Sequence, residues 1–239
     1  MKISKRLLAG LAIAVTSIVN NAQADIVEPF TGGELSSSWS NPIGTDAQSY
    51  GISAAPDGTF GTVLSDGVWS VNTSIPFVAG ETLSAWINPS PSPAIDNNAQ
   101  GGRLYLGFNA GTTDAYSFVA ASDTNQLGFQ NNTGYTTPSF GASAVQNYLD
   151  QWYFLTIGLS ADGGSATANI YNTDGTTLLS TVTESGLSSS NTGIALRGIG
   201  GAAITSLSIT AVPLPAAIWL FTPVSGFLLM LSRRRKALV

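Results

Sequence analysis

Apolar positions are arranged in three different ways along this chain. Near the start, Leu7 to Val19 is a nearly continuous apolar run, preceded by Lys2, Lys5 and Arg6 and followed by Asn20-Asn21-Ala22-Gln23-Ala24. A basic segment, an apolar stretch of this length and small residues in an A-x-A arrangement form a secretory signal, with Ala22 and Ala24 marking a cut that leaves Asp25 first. Residues 1–24 are therefore predicted to be a signal peptide. Near the end, Leu214 to Ser232 is a run of 19 residues without a charge. As a helix rising about 1.5 Å per residue it reaches roughly 28 Å, close to the hydrocarbon thickness of a bilayer. Arg233-Arg234-Arg235-Lys236 follows at once, and such basic clusters stay on the cytoplasmic side. A transmembrane helix is predicted over 214–232, kinked at Pro223, with the body exported across the membrane.

Between these ends the period changes to two. In Thr82 to Asn88, Leu83, Ala85 and Ile87 share one face, while Ser84 and Trp86 share the other. In Arg103 to Asn109, Leu104, Leu106 and Phe108 are predicted to point inward, with Arg103, Tyr105 and Asn109 opposite. In Thr205 to Ala211, Leu207 and Ile209 oppose Ser206 and Ser208. Such alternation marks strands with one buried face. Trp152 to Leu159 is apolar on both faces, as a strand covered on two sides would be. Turn signals punctuate the runs: Asp57-Gly58, Asp66-Gly67, Asp162-Gly163 and Asp174-Gly175. Asp-Gly between alternating runs predicts tight hairpins with positive φ at the central residues. No stretch of the body shows a helical apolar period over three turns, so the prediction is all-β. Residues 25–211 are expected to form one antiparallel sandwich of two sheets, with 212–239 as a separate C-terminal segment.

Charge sharpens the division. Nine residues are basic and fourteen acidic, for a formal net charge of −5. Only Arg103 and Arg197 among the basic residues fall between the two ends, whereas every acidic residue does, so the middle carries 2 − 14 = −12. A body this acidic repels phosphate backbones, which argues against nucleic-acid binding. The chain has no Cys and no His. Thiol nucleophiles, Ser-His-Asp triads, disulfides and most zinc sites are thereby excluded.

The C-terminal segment resembles a PEP-CTERM sorting signal. Val212-Pro213-Leu214-Pro215-Ala216-Ala217 opens it, the apolar run follows, and Arg233, Arg234 and Arg235 close it. It is most similar to the variant reading Val-Pro-Leu-Pro-Ala-Ala, with Leu214 where the commoner motif has Glu. The resemblance implies an exosortase partner in the inner membrane, cleavage near the proline motif, and release to the cell surface or an exopolysaccharide (biofilm) matrix. The body carries a second resemblance. Leu83-Ser84-Ala85-Trp86-Ile87-Asn88-Pro89 resembles the Ser-Ala-Trp strand of laminin-G-like domains. Gln151-Trp152-Tyr153-Phe154, continuing to Ile170-Tyr171-Asn172 and Asp174-Gly175, resembles their later hairpin, and Ile204 to Thr210 stands where their closing strand lies. This implies a concanavalin A-like lectin/glucanase jelly roll.

Enzymes of that fold that cut glycosidic bonds need two carboxylates roughly 5–9.5 Å apart. The related glucanases set theirs two and four residues apart on one strand, and no such pair occurs here, so no catalytic residue is assigned. Calcium would need six to eight oxygens. The acids without a turn explanation are Asp96, Asp114 and Asp123, but there is no D-x-D-x-D loop and no metal ligand is assigned. Glycan binding would stack aromatic rings on pyranose faces, with polar groups to orient the sugar. Alternation places Trp86, Arg103 and Tyr105 on outward faces, and Tyr135 lies in the long segment from Asn131 to Gly141. These four are the candidate contacts. The expected role is an exported, non-catalytic surface or matrix protein that contacts exopolysaccharide or other glycans. A secreted glycan-active hydrolase and a homotypic adhesion module are the alternatives.

Overall fold

The computed structural model describes residues 25–28, 30, 33, 35–40, 44–64, 67–90, 101–110, 115–131, 141–142, 150–187 and 193–211. The signal peptide 1–24, the Val212–Pro215 motif, the transmembrane helix 214–232 and the closing arginines lie outside the described residues, as do Tyr135, Asp96 and Asp114. Among the described residues no helix is long and apolar enough to cross a membrane.

Residues 24–211 form one compact unit. In chain order its strands are β1 (Asp25–Glu28), β2 (Thr45–Asp46), β3 (Thr62–Val63), β4 (Ser70–Asn72), β5 (Glu81–Asn88), β6 (Arg103–Phe108) and β7 (Tyr116–Ala121). Then come β8 (Gln126–Asn131), β9 (Gly141–Ala142), β10 (Tyr153–Leu159), β11 (Ser165–Tyr171), β12 (Leu178–Ser185), β13 (Ile194–Ile199) and β14 (Ala203–Ala211). They make two antiparallel sheets. The larger runs β12-β11-β10-β5-β14-β3-β2, with β1 also paired to β14; the smaller runs β4-β13-β6-β7-β8-β9. This is the all-β, two-sheet antiparallel sandwich that the alternation predicts, and it matches the jelly roll that the resemblance implies. The three segments that carry the laminin-G-like resemblance are neighbours, because β5 lies between β10 and β14 in the larger sheet.

The core fills the space between the sheets and follows the two-residue period. Leu83, Ala85 and Ile87 of β5, Leu155 and Ile157 of β10, and Leu104 and Leu106 of β6 are all fully buried there. Aromatic rings meet edge to face within it, Phe118 on Phe129 at 5.6 Å and Phe77 on Phe108 at 6.0 Å, the geometry that ring quadrupoles favour. Truncating a buried leucine such as Leu155 to alanine in packing of this kind costs about 2–5 kcal/mol.

Two local expectations need correction. The Asp-Gly turns are not built with positive φ at both residues. Gly58, Gly163 and Gly175 have φ of 83°, 70° and 68°, but Asp57, Asp162 and Asp174 do not join them in the left-handed region. Each glycine N–H instead closes a four-residue turn: Gly163 onto the Ser160 carbonyl at 2.8 Å, Gly175 onto that of Asn172 at 2.8 Å. The aspartates are free to accept hydrogen bonds, which is what their short side chains do best in turns. The second correction concerns β14. Ser206 does not simply share a face with Ser208, because the pairing with β5 shifts register between Thr205 and Ser208 and Ser206 has φ of 55°. Ile204, Leu207 and Ile209 all enter the core. An unbroken strand would send Ile204 to the opposite face from the other two, and the extra residue of a bulge restores it.

The outward face of the larger sheet is not bare. Trp86, Trp152 and Phe154 stand on it and are roofed by Ala47, Ile52 and Ala55, with Val63 and Ala203 beside them. A short 3-10 turn, Ala47–Tyr50, starts that roof, capped by Asp46, whose side chain accepts from the Gln48 N–H. A buried acid organises the start of the body. Glu28, 1% exposed, accepts from the N–H groups of Phe30 and Ser36, the Ser36 hydroxyl and the Trp39 indole, the last at 2.8 Å. Four donors satisfy a carboxylate that burial would otherwise penalise heavily.

Candidate functional site

The smaller sheet brings an unusual set of side chains together on its outward face. Antiparallel register sets Arg197 of β13 opposite Tyr105 of β6, and Tyr105 opposite Val119 of β7. Trp69, just before β4, reaches the same place: its ring lies 5.8 Å from that of Tyr105, edge to face. The Arg197 guanidinium carbon sits 5.2 Å from the Tyr105 ring centre and 5.6 Å from that of Trp69. Both distances are within reach of cation–π attraction. Tyr105, Val119 and Ala121 are buried, while Trp69 and Ile199 are packed against them and only partly covered.

Arg197 is also short of partners. Its Nε is the one buried side-chain nitrogen or oxygen without a hydrogen bond among the described residues, and no salt bridge reaches it there. At the other end of the guanidinium, Nη2 lies beside Gly67, where an added Cβ would sit 3.9 Å from it. Gly67 is exposed, has φ of 73°, and is clipped to β13 by its N–H on the Gly198 carbonyl at 2.9 Å. Gly67 thus stands at the rim of the cluster, while Asp66, the other half of that turn signal, lies outside the described residues.

Arg103, the other cation of the body, is spent. Its Nε donates to both carboxylate oxygens of Asp123, at 3.0 and 2.8 Å. Burial pulls its pKa down, but hydrogen bonds to Asp123 and Tyr105 outweigh that and the net shift is upward. The ion pair accounts for Asp123, so that residue is not left over for calcium. Among the described residues no group of three or more Asp, Glu, His or Cys side chains could hold a metal.

Of the three residues singled out by alternation, Arg103 and Tyr105 belong to this face, although Tyr105 is only 5% exposed. Trp86 does point away from the main core, as alternation requires, but it is 8% exposed and presents no free ring. Phe154 lies against it at 5.1 Å, and a Cβ on Gly175 would come within 3.2 Å of its ring. Strand period reports which way a side chain points, not what a loop later lays over it. Arg197 and Trp69 are the residues that alternation missed. The available signal was charge: Arg197 is one of two cations in a body with no lysine.

A shallower groove of about 470 Å³ lies at the larger sheet, lined by Ser53, Pro56, Asp150, Trp152 and Thr173 among others. Its one carboxylate is occupied. Asp150, at φ of 55°, accepts from the Ser53 N–H and hydroxyl on one oxygen and from the Asn88 amide on the other. Trp152 Nε1 donates to the Ser53 carbonyl at 3.0 Å, so these contacts fasten the roof over Trp86.

No protein-family model matches the chain, and no curated protein sequence matches it. Solved structures do. The exoplasmic/lumenal domain of VIP36, in its Ca2+/Man2-bound form, aligns over 80% of this chain and 88% of its own, with a TM-score of 0.50 and 13% identity. The carbohydrate-binding module CBM66 from Bacillus subtilis aligns over 72% and 95%, with a TM-score of 0.47 and 16% identity. The Caenorhabditis elegans galectin LEC-6 aligns over 62% and 93%, with a TM-score of 0.42 and 17% identity. At such identity the likeness is one of fold, a lectin-like β-sandwich.

Proposed function

We propose that this protein is exported, sorted by an exosortase through its Val212–Pro215 motif, and binds extracellular glycans without cleaving them. The binding surface is the outward face of the smaller sheet around Arg197. The observation that carries the reading is a guanidinium set against two aromatic rings with its buried Nε unbonded among the described residues, since ring faces plus a few oriented donors are what sugar recognition needs. The VIP36 domain, which shares the fold, was solved with calcium and Man2 bound. Trp69, Tyr105 and Arg197 bring no carboxylate to the proposed site. Binding is favoured over hydrolysis by the fate of the acids. Glu28, Asp46, Asp57, Glu81, Asp123, Asp150, Asp162 and Asp174 each accept hydrogen bonds from this chain's own donors.

A glycan array probed with the protein recovered from its own cells tests this. At least one glycan should be bound and the signal lost on Arg197→Ala; a blank array, or a signal indifferent to Arg197, removes the reading. Tyr105→Ala is a poor probe, because deleting a buried ring threatens the fold itself. The sorting half is tested separately by intact mass. The recovered protein should begin at Asp25 and lack the apolar tail, and a retained Leu214–Val239 would leave only a simple anchor.

Self-association is a second reading, favoured by β12. Among the described strands it ends the larger sheet, exposes Leu178, Thr181, Thr183 and Ser185, and carries no lysine or proline to blunt its edge. Unprotected edges of this kind pair readily with further strands. Sedimentation of the parent against Thr181→Lys distinguishes a dimer joined at β12 from a monomer.

A further inference from the structure

We infer that the glycan taken by Arg197 is acidic, a sugar bearing a carboxylate, of the uronic acid class. The inference rests on the glycan-binding reading and narrows its ligand. It starts from a contrast between two arginines. Arg103 is positioned by a carboxylate, Asp123, which consumes donors and cancels the charge. Arg197 is positioned by the Tyr105 and Trp69 rings. Ring faces fix a cation electrostatically without consuming its N–H groups, and among the described residues the buried Nε of Arg197 has no hydrogen bond and no salt bridge reaches the guanidinium. A guanidinium so held is an incomplete ion pair. Burying a cation without its counter-ion is costly, and a bound anion is the partner that relieves it.

The shape of the missing partner follows from arginine chemistry. The guanidinium presents its donors as a planar fork that matches a carboxylate, and charge-assisted bonds of this kind are about twice as strong as neutral ones. A neutral sugar hydroxyl would satisfy one donor and leave the charge unmatched. Gly67, which carries no side chain, stands beside Nη2. Among the described residues, the carboxylate near this face, that of Asp123, is already bonded to Arg103, so it does not compete. Stacking on the exposed part of Trp69 would hold the pyranose while its carboxylate faces Arg197.

The acidity of the rest of the body argues for recognition at this point alone. With a net charge of −12 over residues 25–211, the protein cannot collect polyanions by general attraction. Salt screens long-range repulsion more than a short, partly buried contact. Binding of an acidic glycan should therefore survive about 0.15 M salt, whereas a basic patch acting as an ion exchanger would release it.

The test uses the full mature protein against a panel of polygalacturonate, alginate and hyaluronan, each beside its carboxyl-reduced form, with binding measured by calorimetry. Expected is at least one uronate polymer bound ten-fold or more tightly than its reduced counterpart. Arg197→Gln should abolish that difference, Arg197→Lys should keep part of it, and neither should shift the thermal midpoint appreciably. Equal binding of acidic and reduced forms, or capture of neutral glycans alone, overturns the inference and leaves the glycan reading standing. Absence of binding to every glycan tested, neutral or acidic, overturns both.

Discussion

Arg103 and Arg197 show how two residues of one type, on adjacent strands and one face, come to differ. The pairing of β6 with β7 brings Arg103 opposite Ala121, within reach of Asp123 just beyond it. Arg197, one strand over, is set against the Tyr105 and Trp69 rings, with no salt bridge to it among the described residues. Its presence costs stability, since a buried unsatisfied donor is worth about 1–3 kcal/mol against the fold and the cation–π contacts return about 0.5–2. Arg197→Met removes the unsatisfied donor and keeps the stem packed against Trp69 and Tyr105. The expected result is a thermal midpoint at or above the parent's together with loss of glycan binding. A midpoint several degrees lower would mean that Arg197 is there for the fold. Sequence alone pointed to this face through Arg103 and Tyr105 and missed its centre, because no period marks a residue whose value lies in what it fails to pair with.

At the scale of elements, the strands were legible and their coverings were not. β5, β6 and β10 follow the alternation of apolar residues, and each puts its predicted residues into the core. The roof over Trp86 comes from residues 47–55, whose placement depends on Asp150, nearly a hundred positions away. The Asp-Gly turns were legible as turns but not in type. Their glycines can be compared directly. Gly58 and Gly175 both have positive φ, yet a Cβ on Gly58 would meet nothing within 4 Å and one on Gly175 would press on the Trp86 ring. Gly58→Ala should cost about 1 kcal/mol for the left-handed backbone; Gly175→Ala should cost clearly more, with a changed tryptophan fluorescence spectrum. Equal losses in a urea titration would mean that the ring gives way freely.

The same turns set the acid limit of the fold. The Thr177 hydroxyl, with the N–H groups of Thr177 and Thr176, holds Asp174 well below its ordinary value of 3.8, at about 2. The Ser160 hydroxyl and the Gly164 N–H lower Asp162 in the same way. A carboxylate depressed in the folded state contributes stability that is fully present above its unfolded pKa and disappears as pH falls through the folded one. For Asp174 the loss therefore falls between about pH 4 and pH 2. The urea midpoint should drop across that window, and Asp174→Asn, which has no charge to lose, should show a shallower drop. Parallel pH profiles for the two proteins would sink the assignment.

For the whole molecule, the most consequential arrangement is where the two ends of the body lie. β1 begins at Asp25, directly after the predicted signal cleavage, and pairs with β14, Asp25 standing opposite Ile209. β14 runs to Ala211, one residue short of Val212-Pro213, where proline would forfeit a ladder hydrogen bond. First and last strands are thus neighbours in one sheet, and Leu207 and Ile209 close the core. Removing both predicted targeting segments leaves every strand pair of the sandwich intact. A chain spanning 25–211 is expected to melt within about 2 °C of the mature protein, while one ending at Ser206 lacks two core residues, each worth roughly 2–5 kcal/mol, and should not fold. If the shorter chain folded as well as the longer, β14 would not be the strand that completes the body, and processing at the proline motif would have no structural reason to fall where the sequence puts it.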